Sequence, residues 1–357
     1  MGGGMKWWEE GKPVVAMLAV DFALATVNVF LKKALDQGMN HLVLITYRQC
    51  VATVFLTPIA YFWERKSRPK LTGRILFNLF LSAMAGATFT QYFFLLGIQY
   101  TSATFSCAFI NLVPVVTFLM ALPFGLETVD LKSKGGIGKV LGALVCVGGA
   151  MLLGLYKGVA LTKPSNPQAL THANSLSPSK RAERWRNIGT LALVAGCTLW
   201  SSWFFIQARI GKQYPCQYSS TTFMSFFSAL QSATLSLVVG GRDFSSWILS
   251  SKVEMLTVLY AGIMGSGLSF VGMSWCVKKR GPLFTAAFSP LIQVVVAMFD
   301  FSILNEQLHL GSVLGSVLVI VGLYTLLWGK SKDAQNCAIK QPQAPDDQEQ
   351  EYQEQPV

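Results

Sequence analysis

The sequence predicts an all-α membrane protein: ten transmembrane helices arranged as two inverted five-helix repeats. Three observations lead there. The chain of 357 residues is 52% hydrophobic and only 13% charged, against about 25% charged in an ordinary soluble domain. Its apolar residues gather into ten stretches of the length that crosses a bilayer, about 20 residues at 1.5 Å each for a core of about 30 Å. The chain also resembles itself when slid along by 179 positions.

The ten stretches are 14–35, 42–62, 75–98, 102–125, 137–155, 188–208, 218–239, 256–276, 282–304 and 310–328. The expected organisation is a cytosolic segment 1–13, a first repeat 14–155, a central loop 156–187, a second repeat 188–329 and an acidic tail 330–357. The tail ends DDQEQEYQEQPV and is expected to be disordered, because it holds too little apolar surface to bury. Most Lys and Arg outside the stretches fall on the side of the two termini: seventeen there against eight opposite, six of the eight in the long central loop. Short loops weigh more than long ones in the positive-inside rule, so both termini are expected in the cytosol. The net charge of +11 is thus accounted for by topology, and no nucleic-acid partner is expected. Seven cysteines, without a CxxC pair and mostly inside the stretches, read as small buried side chains, and no metal or cofactor is expected. The start MGGGMKWWEEGKP lacks the layout of a cleaved signal.

At the offset of 179, residues 81–127 lie over 260–306 without a gap, pairing Gly86 with Gly265, Phe105 with Phe284, Ala108 with Ala287, Leu112 with Leu291 and Glu127 with Glu306. Five helices per half is an odd number, so the second half enters the membrane from the opposite side. Such inverted repeats are the architecture in which a site at the repeat interface faces alternate sides of a membrane.

The stretches LVPVVTFLMA (112–121), YKG (156–158), KKRGPLFTAAFSPL (278–291) and LHLGSVLGSVLVIVGLYTLLWGKSKD (308–333) resemble one family, as does the pattern YRQ…FLTPIAYFWERKSRPKLT over 47–72. The chain is similar over about residues 14–333 to the plant nodulin-like family, also called UmamiT or walls-are-thin-related, in the EamA branch of the drug/metabolite transporters. The resemblance implies two EamA domains, ten helices, cytosolic termini, and transport of amino acids or, in some members, auxin-like indoles. It also implies the plasma membrane, with the vacuolar membrane as the alternative.

The residues that would carry transport are polar groups and helix breaks near mid-membrane. In 102–125 the middle falls at Asn111–Pro114, and in 282–304 at Ser289–Gln293. The repeat pairs Asn111 with Pro290 and Pro114 with Gln293, so each half sets one proline and one amide at the same depth. The prolines free the carbonyls of Ile110 and Ala286. Freed backbone at that depth lines a cavity, where it suits the ammonium and carboxylate of an amino acid, or marks a packing kink. Asp21 and Asn28 share a face of 14–35, with Asp21 about 11 Å from the nearer edge, as a proton-relay candidate or as polar glue between helices. Arg48 is placed to clamp a carboxylate or to snorkel to headgroups. Gln91, alone among Phe and Leu, needs another helix or a solute as partner. Trp200, Trp203 and Trp275 read as core or lipid-facing side chains, or else as the aromatic walls of a cavity for an ammonium group, and the GxxxG spacings at 138–142 and 311–315 as close helix packing. Asp300 lies near a helix end, where its carboxylate reaches water.

The reading is a secondary transporter of a small organic solute, with an indole or other metabolite exporter of the same superfamily as the alternative. An integral-membrane enzyme is the remote one, since His41, His172 and His309 sit at helix ends or in loops and do not gather. No Walker motif follows Gly135-Gly136, which argues against direct ATP use.

Overall fold

The computed structural model describes residues 2–36, 38–100, 109–123, 133–155, 180–239, 247–249, 251–303 and 310–340. The described elements are all helical: α1 (Gly2–Asp36), α2 (His41–Glu64), α3 (Gly73–Ala83), α4 (Phe89–Tyr100), α5 (Val113–Ala121) and α6 (Lys134–Leu155) in the first half. The second half holds α7 (Lys180–Gln213), α8 (Gln217–Val239), α9 (Lys252–Tyr260), α10 (Ser269–Arg280), α11 (Pro282–Ala287), α12 (Ser289–Ile303) and α13 (Leu310–Lys340). A π-helical turn, Met84–Thr88, joins α3 to α4 in one rod, and another, Ala261–Leu268, joins α9 to α10. Six rods are complete apolar helices of membrane-crossing length among the described residues: those within α1, α2, α7, α8, α9–α10 and α13. Of the other four expected spans the described residues hold the helices α3–α4, α5, α6 and α11–α12, with only 109–123 of the 102–125 stretch among them.

Local chemistry sets several ends. Asn40 caps α2 by accepting from the Leu42 N–H at 3.0 Å, and Ser251 with Glu254 forms a capping box on α9. Gly281 closes α10 with φ 89, a left-handed conformation that favours glycine, and Pro282 follows at the first position of α11. Three helices outrun the apolar stretches. α1 starts at Gly2, α7 starts at Lys180 inside the expected central loop, and α13 continues to Lys340 inside the expected tail. Residues 331–340 contain neither Gly nor Pro, so nothing ends that helix where the bilayer would. Residues 156–179 and 341–357 lie outside the described residues, as do Phe105, Ala108, Glu127 and Glu306 of the repeat pairing.

The repeat reappears in the backbone. Thr90 Oγ1 donates to the Ala85 carbonyl in the first π turn, and Ser269 Oγ donates to the Met264 carbonyl in the second, at the same offset of 179. Leu112 N donates to the Phe109 carbonyl at 3.0 Å, and Leu291 N donates to Phe288 at 2.9 Å, again 179 apart. Both hinge-like turns interrupt a rod at the same place in each half.

Packing follows an approximate two-fold relation. α2 pairs with its counterpart α8, and α6 with its counterpart α13. Thr46 bonds Ser232 at 3.2 Å while Glu64 bonds Ser219, so α2 and α8 run antiparallel. α6 and α13 also run antiparallel, with Gly138 against Gly329 and Gly149 against Val319. Opposite directions for equivalent helices are what inverted halves require. Other contacts cross between halves: α7 packs on α4 and α5, and α1 on α10 and α12. The main core lies in this crossing region. Trp203, fully buried, stacks on Trp200 at 5.1 Å, meets Phe270 edge-on, and presses its ring onto Gly86. Trp275 is part-buried against the same core, so all three tryptophans are packing groups.

Candidate solute-binding site

Four of the expected residues lie at the starts of α5 and α12. Asn111 is fully buried in the turn ahead of α5, and Pro114 is buried in the first turn of that helix. Ser289 and Pro290 are buried in the first turn of α12. The side chains of Gln293 and Asp300 lie outside the described residues. The first break is stitched to α7: Cys197 Sγ donates to the Phe109 carbonyl at 3.0 Å, and Ser201 Oγ donates to the Val113 carbonyl at 3.4 Å. Neighbouring side chains therefore satisfy part of the backbone that the break releases.

Asp21 is 1% exposed, and its Oδ2 atom has no hydrogen-bond partner. Its place follows from the packing of α1. Val27 lies against Gly265 as Trp203 lies against Gly86, so α1 and α7 correspond at an offset of 176, which maps Asp21 onto Cys197. In α1 the carboxylate thus takes the position that Cys197 takes beside the first break. Asn28, two turns along on the same face, is exposed. The face that is sealed at Asp21 is open at Asn28.

Arg48 is part-buried and donates from Nε to Ser266 Oγ at 2.7 Å, reaching from the first half into the second π turn. Among the described residues no carboxylate pairs with it. Its contact is with the other half, not with a helix end, which argues against snorkelling. Gln91 has a buried Oε1 without a partner, one residue beyond the Thr90 hydroxyl that bridges the first π turn. Of the expected residues, the breaks, Asp21, Arg48 and Gln91 are interior groups, and Asn28 is exposed.

Several polar groups were not singled out in the sequence. Ser82 Oγ donates to Gln207 Oε1 at 3.3 Å, and Gln207 Nε2 donates to Ser274 Oγ at 2.8 Å, joining α3, α7 and α10 in the buried interior. Glu64, 8% exposed, accepts from the N–H groups of Tyr218 and Ser219 at 3.0 and 2.7 Å, so its carboxylate sits at the positive N-terminal end of α8. Arg68 donates to Ser219 Oγ at 2.7 Å beside it. In the adjoining turn, burial pushes the Cys216 thiol upward, and the Glu64 carboxylate adds to that shift. Gln49 is fully buried on α2 with both ends of its amide unpartnered. A further buried polar stripe does carry a signal in its spacing: α8 repeats Ser or Thr at 221, 225, 228, 232 and 236, one helical face. Cys50, expected among the buried cysteines, is exposed, because it sits one position past the buried stripe of α2.

A cavity of about 430 Å³ opens between the α3–α4 rod and α8, lined mostly by Phe80, Met84, Phe89, Leu230, Leu235 and Val238. Phe80, Leu230 and Val238 are exposed, and Thr88, Gln231 and Thr234 add polar groups to the lining. None of the expected site residues lines it.

The chain is 51% identical over 330 residues to the WAT1-related protein At3g30340 of Arabidopsis thaliana, covering 92% of this chain and 90% of that one. It is 50% identical over 321 residues to the WAT1-related protein At4g01440 of the same plant, covering 89% and 86%. One solved crystal structure superposes with a TM-score of 0.64 at 13% identity, over 90% of this chain and 98% of its own, a likeness of fold. The EamA-like transporter family matches twice, at residues 11–155 and 187–328. With two family matches, inverted halves and membrane-crossing helices, the chain belongs to the EamA-like transporter family, beside its WAT1-related plant members, as a multi-pass membrane transporter of small solutes.

Proposed function

We propose that this protein moves amino acids across a membrane by alternating access at the interface of its two repeats. One observation carries the reading: rods broken at matching points of inverted halves, with the Arg48 guanidinium reaching across to Ser266. The guanidinium suits the solute carboxylate, which it can bind bidentately. The starts of α5 and α12 add the positive ends of half-helices near mid-membrane. Asn28, Gln91, Asn111, Pro114, Ser289, Pro290 and Gln293 form the rest of the solute path, and Asp21 beside the second break is its proton relay. The repeats are taken as residues 14–155 and 188–329, and the basic-residue asymmetry supports cytosolic termini. The plasma membrane is the proposed site of action.

Uptake and efflux in oocytes test this, with a pooled radiolabelled amino-acid panel and, separately, indole-3-acetate, each at two external pH values. Amino-acid flux above that of uninjected cells is expected. Movement of indole-3-acetate alone would replace the amino-acid reading with a carboxylated indole. Absence of both despite surface protein would sink the assignment.

A further inference from the structure

Gln207 is a buried side chain of α7, six residues before that helix ends at Gln213, about 9 Å along the axis. Ser274 is likewise buried, six residues before α10 ends at Arg280. These helix ends carry Lys212, Lys278, Lys279 and Arg280, which mark the side proposed above as cytosolic. Gln207 Nε2 donates to Ser274 Oγ at 2.8 Å, and Gln207 Oε1 accepts from Ser82 Oγ at 3.3 Å. The α3 serine thus holds one end of the carboxamide, and the other end reaches α10. That second bond joins two groups of helices: α7 packs with α4 and α5, whereas α10 packs with α1. On the same side α11 packs on α5 and α7.

The other side is built differently. The broken rods correspond at an offset of 179, and α1 corresponds to α7 at 176. The counterparts of Gln207, Ser274 and Ser82 are therefore Leu31, Leu95 and Ala261. All three are hydrocarbon side chains, so none can bridge helices by a hydrogen bond. The packing differs with them. α7 lies on α10, while the equivalent pair, α1 and α4, makes no comparable contact among the described residues. Phe204, buried against Trp200 and Trp203, has the exposed Asn28 as its counterpart. Two inverted halves in the same conformation would pack alike on both sides. A difference between the sides is what one access state of such a protein looks like.

We propose that Ser82, Gln207 and Ser274 form the cytosolic gate, held shut by the bond from Gln207 to Ser274, in a structure that faces outward. This rests on the alternating-access reading and adds the gate and the state. Opening to the cytosol parts α10 from α7 and breaks the bond, so the bond favours the outward-facing state. One buried hydrogen bond between neutral groups shifts such an equilibrium roughly fivefold. The hydrocarbon counterparts on the outer side supply no opposing bond.

The test compares apparent KM from the two sides in oocytes expressing the full chain, for uptake from the bath and for efflux after injection. The probe is whichever radiolabelled solute of the assays above wild type carries fastest. Apparent affinity from one side scales with the fraction of protein open to that side. Gln207→Leu removes the bond and fills the space, so KM for efflux should fall roughly fivefold while KM for uptake holds or rises. Ser274→Ala, which removes only the accepting hydroxyl, should do the same, and it carries the test if Gln207→Leu does not reach the surface. A merely structural role would move both KM values together. An efflux KM that does not fall, or two values moving the same way, overturns the gate and leaves alternating access standing. Wild type that carries no probe despite surface protein sinks the transport reading instead.

Discussion

Substituting Gly142 by alanine should separate α6 from α13. A Cβ on Gly142 would lie 2.7 Å from the Leu326 Cα and 2.8 Å from the Gly322 carbonyl oxygen, with the Leu326 nitrogen closer still. All three are backbone atoms, so no flexible side chain can yield. Ordinary contact begins at 3.4 Å, which leaves the helices to move apart by at least about 0.7 Å. A gap of 0.5–1 Å forfeits about a quarter to a half of each dispersion contact along the seam. Overpacking of this kind costs about 1–3 kcal/mol, and the rigid partner puts Gly142→Ala at about 2–3 kcal/mol. The assay is thermal unfolding of purified protein in detergent, followed by tryptophan fluorescence. Gly148→Ala is the control, since nothing lies within 4 Å of its new methyl group. Gly322→Ala should behave like Gly142→Ala, because its Cβ would meet the Cys146 Cα at 2.8 Å. One separation relieves both clashes, so the double variant should lose less than the two singles together. Equal unfolding midpoints for Gly142→Ala and Gly148→Ala would refute the reasoning.

Glu64→Gln leaves one N–H of the α8 start without an acceptor and removes the charge that faces the helix end, a loss of about 1–2 kcal/mol that should lower the unfolding midpoint. An unchanged midpoint would mean that water replaces the carboxylate at no cost. Arg48→Gln should raise the apparent KM for amino acids about tenfold or more, the scale of one charge-assisted contact. An unchanged KM would assign Arg48 to holding Ser266 alone. Asp21→Asn should abolish any dependence of flux on external pH, and a pH profile identical to wild type would remove Asp21 from proton coupling.

The membrane-crossing helices and their inverted arrangement were legible because bilayer thickness imposes a length on apolar runs and the repeat preserves register over 47 positions. The matched breaks were legible for the same reason, as Pro114 and Pro290 announce them in the sequence. Their stitching was not. Nothing in the spelling of Cys197 or Ser201 shows that they meet the carbonyls of Phe109 and Val113, since those contacts join residues 88 positions apart. The paired π turns were hidden too: Gly86 and Gly265 were visible as a repeat pair, but the extra residue in the helical turn has no composition of its own. Gln49 is one amide within an apolar run beside Arg48, and only the packed structure shows both ends of that amide to be bare. The serine face of α8 was legible by spacing alone, yet each serine reads singly as a tolerable residue in a membrane helix.

The packing also changes what the moving parts of such a transporter are. Inverted repeats suggest that residues 14–155 rock against residues 188–329. The helices are not sorted that way. α1 of the first half lies on α10 and α12 of the second, and α7 of the second lies on α4 and α5 of the first. Each broken rod is therefore backed by the first helix of the other repeat, and in one case that helix bonds the break directly, through Cys197. Meanwhile α2 and α8 are tied near both ends, by Thr46 with Ser232 and by Glu64 with Tyr218 and Ser219. α6 and α13 meet glycine to backbone along their shared length. Close-packed backbones slide poorly, whereas the interrupted rods already contain turns that absorb a change in direction. The two antiparallel pairs then act as fixed pillars on the two-fold axis. Under the alternating access proposed above, the bodies expected to exchange access are α1 with α9–α12 on one side and α7 with α3–α5 on the other, each made from both repeats.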